Sequence, residues 1–178
     1  MQTSLYTFTV PVFIKNLKNL SGIIDKSVLH AEGVGEGSKK FDANVLLTSR
    51  LAPDQFPFVK QVQLASDTAK AFAARLNGQD PVSMPDTENT MEELKARIDA
   101  TIAVLESVKP EDVNGKEDSQ VTIKWFPGKF ITGFDYATEY ALPNFFFHVT
   151  TAYAILRHNG VNLGKTDFLG GLPLQDMA

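Results

Sequence analysis

The sequence predicts an all-α protein, an up-and-down-type four-helix bundle with a small β-hairpin inserted before the last helix. Four long segments carry apolar side chains at every third or fourth position, which is the pattern of amphipathic helices. A short segment before the last of them instead alternates apolar and polar residues, as half-buried strands do. The chain has 178 residues, 43% of them hydrophobic, so we expect one domain over residues 1–178.

The first predicted helix runs from Ser4 to Glu32, with Pro11 either kinking it or marking its first turn. The glycine-rich segment 33–40 lacks a preceding strand and a phosphate-facing lysine, so we expect a mobile loop. A short helical turn is expected at residues 43–49. The buried stripe of the first helix consists of Tyr6, Val10, Phe13, Leu17, Leu20, Ile24 and Val28.

The second predicted helix runs from Gln55 to Asn77, where Gly78 supplies a C-terminal cap. Residues 79–89 form a loop with two prolines. The third helix opens with Thr90-Met-Glu-Glu93, which fits a capping box, and ends before Pro110 because proline stops a helix.

The hairpin is predicted from two short strands, Val121 to Trp125 and Phe130 to Thr132, joined by a Pro-Gly turn. The fourth helix is expected from Asp135 to His158, with Pro143 kinking it or starting its main segment. The tail, residues 161–178, is rich in glycine and is expected to wrap the surface.

Composition excludes several classes of function. The net charge of -4 gives no basic footprint for nucleic acid or an anionic membrane, and no apolar run is long enough to span a bilayer. The N-terminus lacks the features of a secretory signal, so we expect a cytoplasmic protein.

No cysteine is present, so any metal needs histidine, carboxylate or amide ligands. The chain also lacks the G-x-S-x-G, phosphate-loop, G-x-G-x-x-G and H-E-x-x-H motifs.

Polar side chains at inward positions are the best candidates for a site. Asn144 and His148 lie one turn apart on the inner face of the fourth helix, and Gln61 lies on the inner face of the second. The same geometry places Gln63 toward water and Tyr6 on the buried stripe of the first helix. A buried polar group without a partner costs about 1–3 kcal/mol, so these side chains should share water, each other or a ligand. A hydrogen-bonded core group is the common explanation for one inward histidine.

Two further residues complete the candidate pocket. Asp54 lies about two turns before Gln61 on the same side; at a helix start, a cap or a partner of the helix dipole is a commoner role for it than an acid catalyst. Tyr153 belongs to the same helix as His148, which is the candidate catalytic residue. The expected pocket residues are Tyr6, Asp54, Gln61, Asn144, His148 and Tyr153.

Three sequence segments resemble those of a known family: Val10-Pro-Val-Phe13, Arg50-Leu-Ala-Pro-Asp-Gln-Phe-Pro57, and the segment from Ala141 to Gly160 that contains Asn144 and His148. With four long helices and a crossover before the last one, the chain resembles the DinB/YfiT-like superfamily of metal-dependent bundle proteins. It is most similar to one branch, domain-of-unknown-function family 1993, over residues 4–170.

The resemblance implies a bundle that is frequently dimeric and binds a divalent metal through three histidines. One histidine comes from the second helix and two, four residues apart, from the last; by position these fall on Gln61, Asn144 and His148. Amide oxygens are weak, neutral ligands, so zinc, nickel or manganese should bind weakly.

Three functions follow as alternatives. The first is a metal- or water-assisted enzyme that uses His148 as ligand or general base. The second is a non-catalytic module that binds a small molecule in the amide-lined pocket. The third is a dimeric stress or scaffold protein. We expect a homodimer and no nucleic-acid partner, and whether the protein is an enzyme stays open.

Overall fold

The computed structural model describes residues 3–33 and 39–177 and is mainly helical, as predicted. The predicted mobile loop at 33–40 lies largely outside this description. A 3-10 helix, Ala43–Thr48, precedes the second long helix, and a π-helical segment, Tyr136–Ala141, leads into the last one. In chain order the α-helices are α1 (Val10–Ala31), α2 (Phe58–Leu76), α3 (Met91–Glu106), the short α4 (Pro110–Val113) and α5 (Gly133–Asp135), α6 (Leu142–His158) and the short α7 (Lys165–Leu169).

Prolines set the first residues of α1 and α2. α1 begins at Val10 with Pro11 in its first turn, which confirms one of the two roles predicted for Pro11. The predicted start at Ser4 is wrong, and residues 5–9 form turns. α2 begins at Phe58 because Pro57, directly before it, has an extended backbone with ψ of 168°. The predicted capping box of α3 is confirmed.

The hairpin is shorter than predicted. β1 (Gln120–Val121) pairs antiparallel with β2 (Ile131–Thr132), with Val121 opposite Ile131. The chain turns at Phe126–Lys129, where the amide of Lys129 donates to the carbonyl of Phe126 at 3.2 Å. Trp125 lies outside the ladder and is 74% exposed, so the prediction that the first strand reaches it is wrong.

Helices α2 and α3 run parallel, so the predicted up-and-down order is wrong. Arg97 of α3 contacts Asp67 of α2 at 2.9 Å. Just beyond the C-terminal ends of the two helices, the side chain of Asn77 donates to the carbonyl of Asp112 at 2.8 Å. α2 has 19 residues and is therefore about 28 Å long. Residues 77–90, here called the strap, run back along α2. Extended chain spans about 3.3 Å per residue, so these residues are long enough to return to the start of that helix.

The complete order of directions is up, down, down, up. α1 and α3 are antiparallel, because Lys18 pairs with Glu106 and Asp25 pairs with Lys95. α6 is antiparallel to α2 and lies beside it. The crossover therefore precedes α3 rather than the last helix, which corrects the expected position.

Aromatic rings fill the centre of the bundle. The ring of Phe13 lies 5.5 Å from that of Phe72 and 4.9 Å from that of Phe145, and Phe72 stacks on Tyr136 at 5.8 Å. These four side chains are fully buried, so they join α1, α2, α6 and the π-helical segment in one core. Among the helices of the described residues, none has the length and apolar character needed to cross a membrane.

Candidate functional site

Gln61 of α2 and His148 of α6 form a buried pair. The amide oxygen of Gln61 lies 2.8 Å from Nδ1 of His148, and the amide nitrogen donates to the carbonyl of Phe56 at 3.0 Å. Gln61 is 2% exposed and His148 8%. A backbone carbonyl can only accept, so the amide nitrogen must face Phe56 and the amide oxygen must face the ring. Nδ1 of His148 therefore carries the proton.

The environment keeps this imidazole neutral. Burial, which has the larger effect, and the positive charge of Lys60 together lower the pKa of His148 from 6.5 to about 4. With Nδ1 protonated, the other ring nitrogen, Nε2, bears a free electron pair. Nε2 has no hydrogen-bond partner in the part of the chain that the structure describes, and it is not sealed from solvent.

Asn144 lies one turn before His148 and has a fixed orientation of its own. Its amide nitrogen donates to the hydroxyl of Thr68 at 2.7 Å, and that hydroxyl donates to the carbonyl of Leu64 at 2.8 Å. The amide oxygen of Asn144 is thus left without a partner among residues 3–33 and 39–177. Four helical residues rise about 6 Å, so the two residues that carry these acceptors are about that far apart along α6.

A row of polar contacts, spaced by seven residues on α2, joins that helix to α6 and to the π-helical segment before it. Gln61 and Thr68 hydrogen-bond to α6, and the guanidinium of Arg75 donates to the hydroxyl of Tyr136, in the π-helical segment before α6, at 3.3 Å. Tyr136 belongs to the π-helical segment, which ends just before Pro143. This proline has no backbone N–H and cannot donate a helical hydrogen bond. A π turn inserts an extra residue, which brings Tyr136 to the face that meets α2.

Tyr6 lies far from the Gln61–His148 pair, which corrects its expected place in the pocket. Its backbone amide donates to Asn114 at 3.0 Å, just after α4, and that short helix packs beside Asn77 at the end of α2. Asn77 lies about 24 Å along the helix from Gln61. Tyr6 precedes α1 instead of lying on it, so the helical geometry used for its prediction did not apply.

Asp54 and Tyr153 are not joined to the pair either. Asp54 is exposed in the turn before Pro57 and does not belong to α2, so the expected alignment with Gln61 is wrong. Tyr153 packs edge to face on Phe168 of α7, with ring centres 6.0 Å apart. Of the six expected pocket residues, the structure brings together Gln61, Asn144 and His148.

A second polar cluster lies on the opposite side of α2, under the strap. Gln63, predicted to face water, is 5% exposed and donates to Glu88 at 2.8 Å. The side chain of Arg97 is 2% exposed and contacts Glu88 at 2.8 Å, Asp67 at 2.9 Å and Asp86 at 3.0 Å. The strap covers this face, which helical periodicity alone places at the surface.

The carboxylate of Glu88 is stabilised in its charged form. Burial by itself raises the pKa of Glu88, but hydrogen bonds from Arg97 and Gln63 outweigh burial and hold that pKa below its ordinary value. The sequence did not identify Arg97 as a candidate site residue. Arg97 lies one turn from both Leu94 and Thr101, and therefore on the buried stripe of α3.

The three residues expected to bind a metal do not form a suitable donor set. The oxygen of Gln61 is occupied by the N–H of His148, and Asn144 is oriented by Thr68. Nε2 of His148 is then the one strong donor for zinc or nickel, which prefer several imidazoles or thiolates. Within the described residues no group of three His, Cys, Asp or Glu side chains could hold an ion.

Known proteins match both the sequence and the fold. The family model of a domain of unknown function, DUF1993, matches residues 5–169. A crystal structure of a DinB family member from Shewanella denitrificans is 46% identical, with a TM-score of 0.90, and the match covers 97% of this chain and 96% of that one. No curated protein matches this chain. The chain therefore belongs to the DUF1993 family, and its fold is that of a DinB family member.

Proposed function

We propose that this protein binds a small uncharged molecule that donates two hydrogen bonds to α6, one to Nε2 of His148 and one to the amide oxygen of Asn144. The contact that carries the proposal is the 2.8 Å hydrogen bond between Gln61 and Nδ1 of His148. Because this bond fixes the tautomer, Nε2 is held as an acceptor. Asn144 is held as a second acceptor by its bond to Thr68.

The charge state of His148 favours binding over acid–base catalysis. A general base is most effective when its pKa lies near the working pH. Burial and the charge of Lys60 lower the pKa of His148 to about 4, so the imidazole is a weak base in neutral solution. It remains a good hydrogen-bond acceptor, because a neutral ring keeps its electron pair at every pH well above that value.

The surroundings indicate an uncharged ligand with an apolar body. Phe147 lies beside the histidine ring, 5.2 Å between ring centres, and Phe56 supplies the carbonyl that orients Gln61; both phenylalanines are 57% exposed. The exposed ring of Phe147 beside His148 suits a ring-bearing donor. The positive charge of Lys60, close enough to lower the pKa of His148, disfavours a cation.

Resorcinol and benzamide are suitable probes, since each has an aromatic body and two N–H or O–H donors. We expect both probes to raise the melting temperature of the wild-type protein, because a ligand that binds the native state stabilises it. Imidazole nitrogen NMR should show Nδ1 of His148 protonated and Nε2 unprotonated, with the Nε2 resonance moving when a probe binds.

The matched variants are His148→Phe and His158→Phe. His158 is exposed in the last turn of the same helix, so its replacement changes composition equally and leaves the acceptor intact. Probe binding should be lost in His148→Phe and kept in His158→Phe. Equal binding to both variants, or a proton on Nε2 instead of Nδ1 in the wild-type protein, would contradict the proposal.

The homodimer expected from the family resemblance remains a prediction. Phe56 and Phe147 offer exposed apolar surface beside the proposed site, so a dimer that used them would also restrict entry of a ligand. Light scattering during gel filtration tests the oligomeric state. A monomer at every accessible concentration would contradict the dimer and leave the binding proposal to its own test.

A further inference from the structure

Arg75 is a cation without an anionic partner among the described residues. It lies in the last turn of α2, and its guanidinium donates to the hydroxyl of Tyr136 at 3.3 Å. No described carboxylate lies within salt-bridge distance of it. Three neighbouring cations and three carboxylates instead pair with one another: Arg97, Lys70 and Lys60 with Asp67, Asp86 and Glu88.

The hydroxyl that contacts Arg75 does not cancel its charge. Tyr136 is fully buried, and burial raises the pKa of its phenol, with Arg75 acting in the opposite direction. A phenol with a raised pKa is neutral in neutral solution, so it positions the guanidinium without neutralising it. The other N–H groups of Arg75 have no acceptor in the described ranges, and none of its nitrogens is sealed from solvent.

A cavity of about 420 Å³ lies between α2 and the strap, and Arg75 is one of the residues that line it. Arg75 and Lys70 line it from the helix, while Val82 and Met84 of the strap supply apolar surface. Lys70 is already paired with Asp67 at 2.6 Å. The cavity therefore combines one unpaired positive charge with two apolar side chains of the strap, about 21 Å along α2 from Gln61.

We propose that this cavity binds an aliphatic monocarboxylate, with the carboxylate on Arg75 and the hydrocarbon chain against Val82 and Met84. A guanidinium presents two parallel N–H donors that match the two oxygens of a carboxylate. One unmatched cation balances one negative charge. Asp67 and Asp86 also line the cavity and would repel a dianion such as phosphate.

Arg75 also lies where a cation interacts favourably with the negative end of a helix, and the control variant accounts for this. Arg157 occupies the corresponding last turn of α6, is exposed, and lies outside the cavity. The variants Arg75→Gln and Arg157→Gln thus remove the same helix-end interaction. Only Arg75→Gln also removes the unpaired cation of the cavity.

Calorimetric titration with sodium hexanoate tests the proposal, with 1-hexanol and inorganic phosphate as comparison probes. We expect the wild-type protein to bind hexanoate more tightly than either comparison probe. Affinity for hexanoate should fall about tenfold or more in Arg75→Gln, as expected for loss of a charge-assisted pair, and stay unchanged in Arg157→Gln. Circular dichroism establishes that both variants are folded.

Amide NMR of the wild-type protein gives a readout that does not depend on any variant. Hexanoate should shift the amide resonances of Val82, Ser83 and Met84 in the strap and of Ala71 in α2, and leave those around His148 unchanged. Absence of hexanoate binding, preference for phosphate, equal affinity in Arg75→Gln, or shifts confined to other parts of the chain would each overturn the proposal. None of these outcomes bears on the site at His148, because the two sites share no residue.

Discussion

Gln61 and His148 meet across the antiparallel helices α2 and α6, with the amide oxygen of one 2.8 Å from Nδ1 of the other. The amide is in turn oriented by the carbonyl of Phe56, so a backbone acceptor at the start of α2 determines which ring nitrogen of a histidine on α6 is free. Where the family resemblance implies two metal ligands, this chain has a hydrogen-bonded neutral pair.

Burial of His148 makes the protein less stable in mild acid. Its pKa is about 4 in the folded state and 6.5 when unperturbed, so the unfolded chain takes up the proton first as the pH falls. The free energy of unfolding should drop by about 2 kcal/mol between about pH 7 and about pH 5 from this group alone. Urea titrations of the wild-type, His148→Phe and His158→Phe proteins check this. The drop should shrink in His148→Phe alone, and an equal drop in all three would contradict the assignment.

Replacing the two amides by histidines should create a metal site. We expect the wild-type protein, purified without a histidine tag and incubated with zinc, nickel or manganese, to retain no stoichiometric metal after gel filtration. The double variant Gln61→His/Asn144→His should retain zinc, because it would present three imidazoles. Elemental analysis measures both. Stoichiometric zinc in the wild-type protein would show that its donor set had been misjudged.

The Arg97 cluster should contribute much more to stability than a surface ion pair on the same helix. Arg97→Ala leaves Glu88, 10% exposed, without its main partner, so we expect a loss of about 3 kcal/mol. Lys95→Ala removes an exposed contact with Asp25 and should cost at most about 1 kcal/mol. Urea unfolding measures both changes. Hydrogen exchange should also quicken in the strap for Arg97→Ala, and losses of similar size in the two variants would contradict a buried role.

Substitution by alanine should change the stability of the protein in opposite directions at two glycines. A Cβ at Gly133 would lie 1.9 Å from the carbonyl oxygen of Lys116, so Gly133→Ala requires backbone movement and should be destabilising. Gly22, inside α1, has no atom within 4 Å of such a Cβ, so Gly22→Ala should stabilise by about 0.5–1 kcal/mol. Thermal unfolding separates the two. Stabilisation by Gly133→Ala would show that the backbone there is free to move.

Periodicity located the long helices well, while their first residues depended on prolines. The stripe containing Phe13 and Leu17 is buried as predicted, because every third or fourth side chain of a helix shares a face. Tyr6 and Asp54 were misplaced because each was assigned to a helix that begins later in the chain. Errors at helix ends therefore became errors in the proposed pocket.

The direction of α3 depended on the strap. A connection of this length permits either direction, and short loops alone would have required antiparallel neighbours. The buried state of Gln63 and Arg97 follows from the strap lying over them. No local pattern in the sequence specifies such a contact, because the partners come from Asp86 and Glu88, distant along the chain.

The sequence by itself determined the helices, the core stripes, the family resemblance and the inward direction of Gln61, Asn144 and His148, because each depends on residue type and spacing along one segment. The tertiary structure decided which atoms those side chains use. Phe56 orients Gln61, Gln61 selects the tautomer of His148, and the extra residue of a π turn brings Tyr136 to Arg75. Such hydrogen bonds join separate elements, and their geometry exists only after the helices have packed.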